Sequence, residues 1–280
     1  WLPLQHILDG KYLLGKVIGE GGFGITYIGW DLNMEVRVAI KEYFPVGLAS
    51  RELSDSSRYT ISALTGEKQN YYRHGLQKFT EEARSLAKFY QLDGIVSVKD
   101  FFYENETAYM VMEYVDGVTM KEYLNAHGGR LAAAEALQFL EPVIRSLEVI
   151  HREQIIHRDI SPDNIKFTDD PDGAAGIKLI DFGSARDYMD DRTYTIELKE
   201  GYAPPEQYSG HEQGPWTDVY ALCAVLYRGI TGQKPIRSLL RKIKDELLMP
   251  SQMGVPIDPK LEKILKKGLN IEKEKRYQNL

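Results

Sequence analysis

Polar and apolar residues alternate through the first part of the chain and recur at helical spacing further on, so strands are predicted first and helices afterwards. Tyr12 to Gly19 (YLLGKVIG) reads as a strand, ITYIGWD from Ile25 as a second, and Val36 to Ile40 (VRVAI) as a third that Lys41 ends. Positions 45–70 are polar, with clusters of Gly, Ser, Thr and Asp and no clear period. Phe79, Ala83, Leu86, Ala87 and Tyr90 then predict a helix over about 74–90. A strand pair follows, Val96–Phe102 and Thr107–Met112, around the turn Glu104-Asn105-Glu106. Leu137, Leu140, Val143, Ile144 and Leu147 form the buried stripe of a helix within Leu131–His151, where Pro142 is expected to cost a hydrogen bond and could kink it. Thr217–Gly232 reads as a buried helix that starts near Asp218 and stops near Gly232, Leu261–Leu269 as another, and the pattern stays helix-like to Leu280. Two lobes are expected: a strand-rich one over residues 1–114, with an inserted polar segment at about 45–73, and a mostly helical one over 115–280.

Composition narrows the class. A chain of 280 residues with 43% hydrophobic and 27% charged residues can bury a substantial core. The net charge of −6 argues against a nucleic-acid partner, whose footprint is usually basic. A single cysteine, Cys223, excludes an internal disulfide and fits a reducing, cytoplasmic compartment. No apolar run is long enough to span a bilayer, so no membrane contact is expected of this chain. His151 and His157 read as packing histidines, and without a second His/Cys set at metal spacing no zinc site is expected. Because the chain begins at Trp1 and stops in a helix-like pattern, a longer parent protein is expected.

The chemistry concentrates in HRDISPDN, His157 to Asn164, with Asp159 five residues before Asn164. A strand, a turn-rich stretch and IKLIDFG follow, and deliver a second aspartate, Asp181. Two aspartates and an asparagine can hold one substrate hydroxyl and hard cations, because Mg²⁺ needs few protein carboxylates when phosphates complete its shell. The glycine-rich GEGGFG (Gly19 to Gly24) lies between two strands instead of opening a helix, which suits a phosphate-covering hairpin and not a dinucleotide fold. Glu82 shares a helix face with Leu86 and is the chosen partner for Lys41, with Glu81 as the alternative. From Ser184 to Tyr208 apolar periodicity fades into acids and hydroxyls, as in a mobile loop; Thr193, Tyr194 and Thr195 could accept a phosphate there.

GEGGFG, VAIK, the helix glutamate, HRDISPDN, DFG and APPEQY occur in that order. In these motifs, from about Tyr12 to the end, the chain resembles the eukaryotic-type (Hanks-type) protein kinases, especially the bacterial Ser/Thr enzymes. The resemblance implies an α+β bilobal fold: an N-lobe antiparallel sheet with one main helix over a mostly helical C-lobe, with ATP in the cleft. It implies that Gly19, Gly21 and Gly24 cover the phosphates of ATP, and that Lys41 with Glu82 orients them. Asp159 would accept the proton of a protein Ser/Thr hydroxyl, and Asn164 and Asp181 would hold Mg²⁺. Ile18, Thr26, Ala39 and Lys166 would border the adenine, Met112 would be the gatekeeper, and Glu113 and Val115 the hinge. Val98, Leu86, His157 and Phe182 resemble a hydrophobic spine. Glu206 with Arg276 resembles an anchoring ion pair, and Asp218 the aspartate that supports the catalytic loop. Autophosphorylation at Thr193 or Thr195 would fit.

Four residues depart from the family pattern. Thr26 replaces a valine and Lys166 an apolar residue, so that a lysine stem would floor the adenine while its ammonium reaches water. Ser161 replaces a lysine that contacts the γ-phosphate, and Lys199 replaces a threonine of the activation segment. A swap follows as an expectation, with Lys199 reaching from the other side into the space that the catalytic-loop lysine usually fills. The alternative from another class is a pseudokinase-type nucleotide-binding scaffold, which Ser161 and Lys166 would favour and the retained Lys41, Asp159, Asn164 and Asp181 oppose. A small-molecule kinase is a third reading, disfavoured by APPEQY.

Overall fold

Eight strands and one long helix are the main elements of the first unit, Trp1–Gln91 with Val96–Val115, in a computed structural model that describes residues 1–51, 59–168, 176–182, 198–209 and 212–280. They are β1 (Ile7–Leu8), β2 (Tyr12–Gly21), β3 (Gly24–Asp31), β4 (Val36–Tyr43), β5 (Ala49–Arg51), β6 (Ile61–Ala63), α1 (Glu67–Leu86), β7 (Val98–Glu104) and β8 (Thr107–Glu113). Six strands pair antiparallel in the order β1-β2-β3-β4-β8-β7, and β5 and β6 form a separate hairpin. Alternation divides the faces of β4. Val38 and Ile40 join a buried cluster with Leu8, Leu14, Ile25, Tyr27 and Val111. On the other face Tyr43 packs against Tyr72 and Phe79 of α1. Asn105 and Glu106, both at positive φ, make the two-residue turn whose twist suits a hairpin between β7 and β8.

Several boundaries differ from expectation, two of them by physical necessity. Lys41 does not end its strand: β4 runs on to Tyr43, with Lys41 opposite Thr26 and Met110. The helix α1 starts at Glu67, well before position 74, so part of the polar segment is helical. Its first turns carry almost no apolar residues, and their burial comes from tertiary contact: the Tyr43 hydroxyl donates to the Tyr72 carbonyl (3.3 Å), and Gly75 lies so close to Tyr43 that no side chain fits.

The second unit comprises Leu92–Ile95, Asp116–Gly183 and Leu198–Leu280. It contains β9 (Gly117–Thr119), α2 (Met120–Ala126), α3 (Ala133–Arg152), β10 (Ile165–Thr168), β11 (Ile177–Leu179), α4 (Pro205–Tyr208), α5 (Pro215–Thr231), α6 (Ser238–Ile243) and α7 (Pro259–Gly268). Thr119 and Glu122 form a capping box that starts α2. The central helix α5 is buried along most of its length and ends where Gly232 turns left-handed (φ 74°). Gly268 of α7 approaches Cys223 of α5 too closely for any side chain, so glycine there is a packing requirement. The strand β10 pairs with both β11 and β9, the latter too short to leave a periodic signal in the sequence. Two expectations need correction. Leu137 is 38% exposed; the stripe of α3 runs instead through Ala136, Leu140, Val143, Leu147 and Ile150. Pro142 lies inside the helix, as expected, and its carbonyl packs against Gly94. Residues 276–280 are not helical: one 3₁₀ turn at Lys273–Lys275 precedes Arg276, which leaves the helical register to reach a buried partner.

Candidate active site

In the first unit, Gly21 pairs with Gly24 and Gly19 with Thr26, so GEGGFG is the tight end of the β2–β3 hairpin. The glycines serve two purposes. Gly24 abuts the Glu42 carbonyl, where a side chain would collide. Gly21 and Gly22 have open space around them and no positive φ, so neither packing nor backbone conformation demands glycine there. Without a Cβ, the backbone at these two positions stays open to close approach. Ala39 sits opposite Met112 on adjacent strands, both buried, and Val98 lies opposite Met112 on its other side. Glu113 is fastened by its own carboxylate, which accepts from the Ser97 N–H (2.9 Å), while the Glu113 N–H donates to the Ser97 carbonyl (3.0 Å). Val115 is buried, and Ile18 is 43% exposed. Lys41 and Glu82 are both half-buried. Glu81 is engaged by Lys78 and Gln77 on its own helix (2.8 Å each). Those two hydrogen bonds, above all the one from Lys78, hold its carboxyl below the usual range.

The second unit assembles the HRDISPDN loop. The Asn164 amide donates to the Asp159 carbonyl (2.8 Å) and to its carboxylate (2.9 Å), which fixes the aspartate's rotamer and leaves one carboxylate oxygen uncommitted to Asn164. The Ile180 N–H donates to the Asn164 carbonyl (2.8 Å), so Asn164 and the segment that carries Asp181 are bonded side by side. Asp181 and Arg158 both adopt positive φ (59° and 67°), a conformation that costs a non-glycine residue about 1–3 kcal/mol and has to be held in place. Asp218 holds the second of these. It is fully buried and accepts from the His157 N–H (2.7 Å), the Arg158 N–H (2.8 Å) and His151 Nε2 (2.8 Å). Gln207, which lies within APPEQY but was given no role there, donates to the Arg158 carbonyl (2.8 Å) from the other side. Lys166 is half-buried on β10, opposite Thr119 and Lys178.

His157 is a neutral spacer in this loop. Its Nε2 lies 3.1 Å from the Ile180 carbonyl and must carry the proton, while Nδ1 accepts the Asp159 N–H (3.2 Å). Its ring packs 4.4 Å from that of Phe182. Burial holds its pKa below the ordinary imidazole value, against the opposing pull of Asp218 and Asp159. The unfolded chain therefore binds a proton below about pH 6.5 that the folded chain refuses. Stability from this group is complete above that pH and falls by up to about 1.4 kcal/mol per unit as pH drops toward the folded value. Burial alone would raise the Asp218 carboxyl, but His151 and the His157 N–H hold it low, which adds a further loss in the carboxylate range. Urea unfolding at pH 7.5, 6.5 and 5.5 should give falling stability for the parent and a shallower fall for His157→Phe; equal slopes would contradict this assignment.

Downstream, Glu206 and Arg276 form a bidentate buried pair (2.7 and 3.0 Å). Lys199 is half-buried, and its carbonyl accepts the N–H groups of Tyr202 and Ala203. Ser161 is fully buried, and its hydroxyl has no hydrogen-bond partner among the described residues. Thr193, Tyr194, Thr195 and Gly183 lie outside the described residues. No helix among the described residues is long and apolar enough to cross a membrane.

An antiparallel sheet with a glycine-rich hairpin, and a helical unit whose HRD loop rests on a buried helix aspartate, define a domain of protein-kinase type. The family model described as "Protein kinase domain" matches residues 12–278, and the chain belongs to that family. Serine/threonine-protein kinase PrkC of Bacillus subtilis is 29% identical over 97% of the chain. Serine/threonine-protein kinase PknA of Mycobacterium tuberculosis is 32% identical over 81%. The chain spans 39% and 48% of those two proteins, respectively. Among solved structures, the apo form of PpkA-294 matches all of this chain and 96% of its own, with a TM-score of 0.82 and 36% identity. The kinase domain of M. tuberculosis PknI (TM-score 0.69, 20% identity) shares the fold. Within the family, this is a kinase domain of the bacterial serine/threonine type.

Proposed function

We propose that the domain transfers the γ-phosphate of ATP to Ser/Thr hydroxyls of proteins, with Asp159 as the base. The observation that carries this is the Asp159 carboxylate, fixed by Asn164 on a loop whose strained backbone is bonded to buried Asp218. The substrate hydroxyl oxygen attacks the γ-phosphorus, its proton passes to the Asp159 carboxylate, and ADP leaves with the electrons of the broken P–O bond. Lys41, supported by Glu82, holds the α- and β-phosphates; Gly19, Gly21 and Gly24 cover them. Ile18, Thr26, Ala39, Met112, Glu113, Val115 and the stem of Lys166 surround the adenine. Asn164 and Asp181 supply hard oxygens of the kind Mg²⁺ prefers, and adjacent segments carry them. When bound, Mg²⁺ neutralises charge that develops between the β- and γ-phosphates. The protein partner includes a second copy of the domain, with Thr193 or Thr195 as acceptor, and the compartment is the cytoplasm. Phosphoamino-acid analysis of a protein acceptor tests the class: phosphoserine or phosphothreonine is expected, and phosphotyrosine alone would refute it.

Lys199 completes the site in this reading. A buried Ser161 hydroxyl without a partner among the described residues costs about 1–3 kcal/mol in itself, which a nearby ammonium would offset. Lys199→Met is expected to lower kcat/KM at least tenfold, or about 1.4 kcal/mol of transition-state stabilisation. Adding Ser161→Lys should restore part of it. Full phosphotransfer by Lys199→Met, with no gain from Ser161→Lys, would remove Lys199 from the mechanism.

A further inference from the structure

One residue beyond Lys41, β4 buries a second ionisable group. Glu42 is fully buried at the end of the face that carries Val38 and Ile40, where alternation would place an apolar residue. Its carboxylate accepts from the Tyr109 hydroxyl (2.7 Å), the Tyr27 hydroxyl (3.1 Å) and the Arg51 guanidinium (2.5 Å). The Tyr27 hydroxyl in turn accepts the Leu2 N–H (3.1 Å). Arg51 is on β5 and is itself largely buried; it also donates to the Tyr59 carbonyl (3.1 Å) and lies over the Phe44 ring (5.3 Å).

Phe44 ties this cluster to the glycine-rich hairpin. The Phe44 N–H donates to the Phe23 carbonyl (3.1 Å) and the Val46 N–H to the Gly22 carbonyl (2.9 Å), so the tip of GEGGFG is bonded to the strap that leads into β5. The Glu42 carbonyl also packs against Gly24. Arg51 therefore touches both the strand that carries Lys41 and the strap that holds the hairpin tip.

We infer that Arg51 is a positioning residue for the phosphate-handling elements: through Glu42 it fixes β4 beside Lys41, and through Phe44 it fixes the tip of the glycine-rich hairpin. A buried ion pair is poor evidence for stability, since well-packed apolar pairs of similar volume often serve as well or better. What the pair adds is direction. A bidentate-capable, planar guanidinium and a carboxylate with three donors admit one arrangement of β3, β4 and β5, where apolar contacts would allow several. The polar segment after β4 thus acts on ATP without touching it.

This inference rests on the proposed role of Lys41 in binding phosphates, and the experiment separates the two. KM for ATP, kcat and melting temperature are measured for the parent, Lys41→Met, Arg51→Met and the apolar double variant Glu42→Leu/Arg51→Met. Arg51→Met leaves Glu42 unpaired and is expected to melt lower; the double variant should regain the parent's melting temperature. The KM for ATP should stay raised about tenfold or more in the double variant while kcat changes less, and Arg51→Lys should lie between parent and Arg51→Met. A double variant with parental melting temperature and parental KM would overturn the inference while Lys41→Met still abolished transfer. Parental activity in Lys41→Met would overturn the site reading and this inference with it.

Discussion

Asp159→Asn is expected to lower phosphotransfer by about 10²- to 10⁴-fold, the usual worth of a positioned general base. That corresponds to about 3–5 kcal/mol of lost transition-state stabilisation. The substitution keeps size and shape, and the Asn164 amide can still donate to the remaining side-chain oxygen and to the backbone carbonyl, which it reaches at 2.9 and 2.8 Å in the parent. The loss should therefore appear in kcat, with KM for ATP and the melting temperature close to the parent's. Single-turnover kinetics with Mg·ATP check this. A variant that kept more than a tenth of the parental rate would show that the hydroxyl proton leaves by another route.

Arg276→Met is expected to produce the largest loss of stability, about 3–5 kcal/mol, because it strands the buried Glu206 carboxylate. The arginine also donates to the carbonyls of Asn270 (2.6 Å) and Ile271 (2.9 Å), so its removal orphans backbone acceptors as well as a charge. Among the described residues, Thr217 alone would remain on Glu206, through a 3.1 Å hydrogen bond. For a chain of this size the change amounts to a fall of roughly 10 °C in Tm. Glu206→Met/Arg276→Met should recover much of it, since a pair without charge leaves none uncompensated. Equal Tm for the parent and Arg276→Met would mean that the pair contributes nothing to the fold.

The helical unit was the more legible half because its signals are local. The apolar run of α5, the glycine that stops it and the aspartate near its start all lie within one stretch of sequence, and each falls where its chemistry demands. The start of α1 was not legible, because its first two turns are polar and are stabilised by Tyr43 on a distant strand. Leu137 was misplaced for a related reason: it is adjacent to Ala136, and a residue one step round a helix leaves the buried stripe although its side chain is apolar. HRDISPDN, with its order and spacing, placed Asp159 and Asn164 together, as the hydrogen bonds between them do. Gln207 and Arg51 escaped notice, since each acts through a partner far away in sequence. Glu42 did leave a trace: it continues the face of Val38 and Ile40, so alternation alone marks it as a buried acid in need of partners.

The most direct measurement is incorporation of label from γ-labelled ATP with Mg²⁺, for the parent and Asp159→Asn, with the sites mapped by mass spectrometry. The account predicts phosphate on serine or threonine in the parent, with Thr193 or Thr195 among the acceptors, and at most about a hundredth as much in Asp159→Asn. No incorporation by the parent into itself or a protein acceptor, while Mg·ATP still raised its melting temperature, would contradict it.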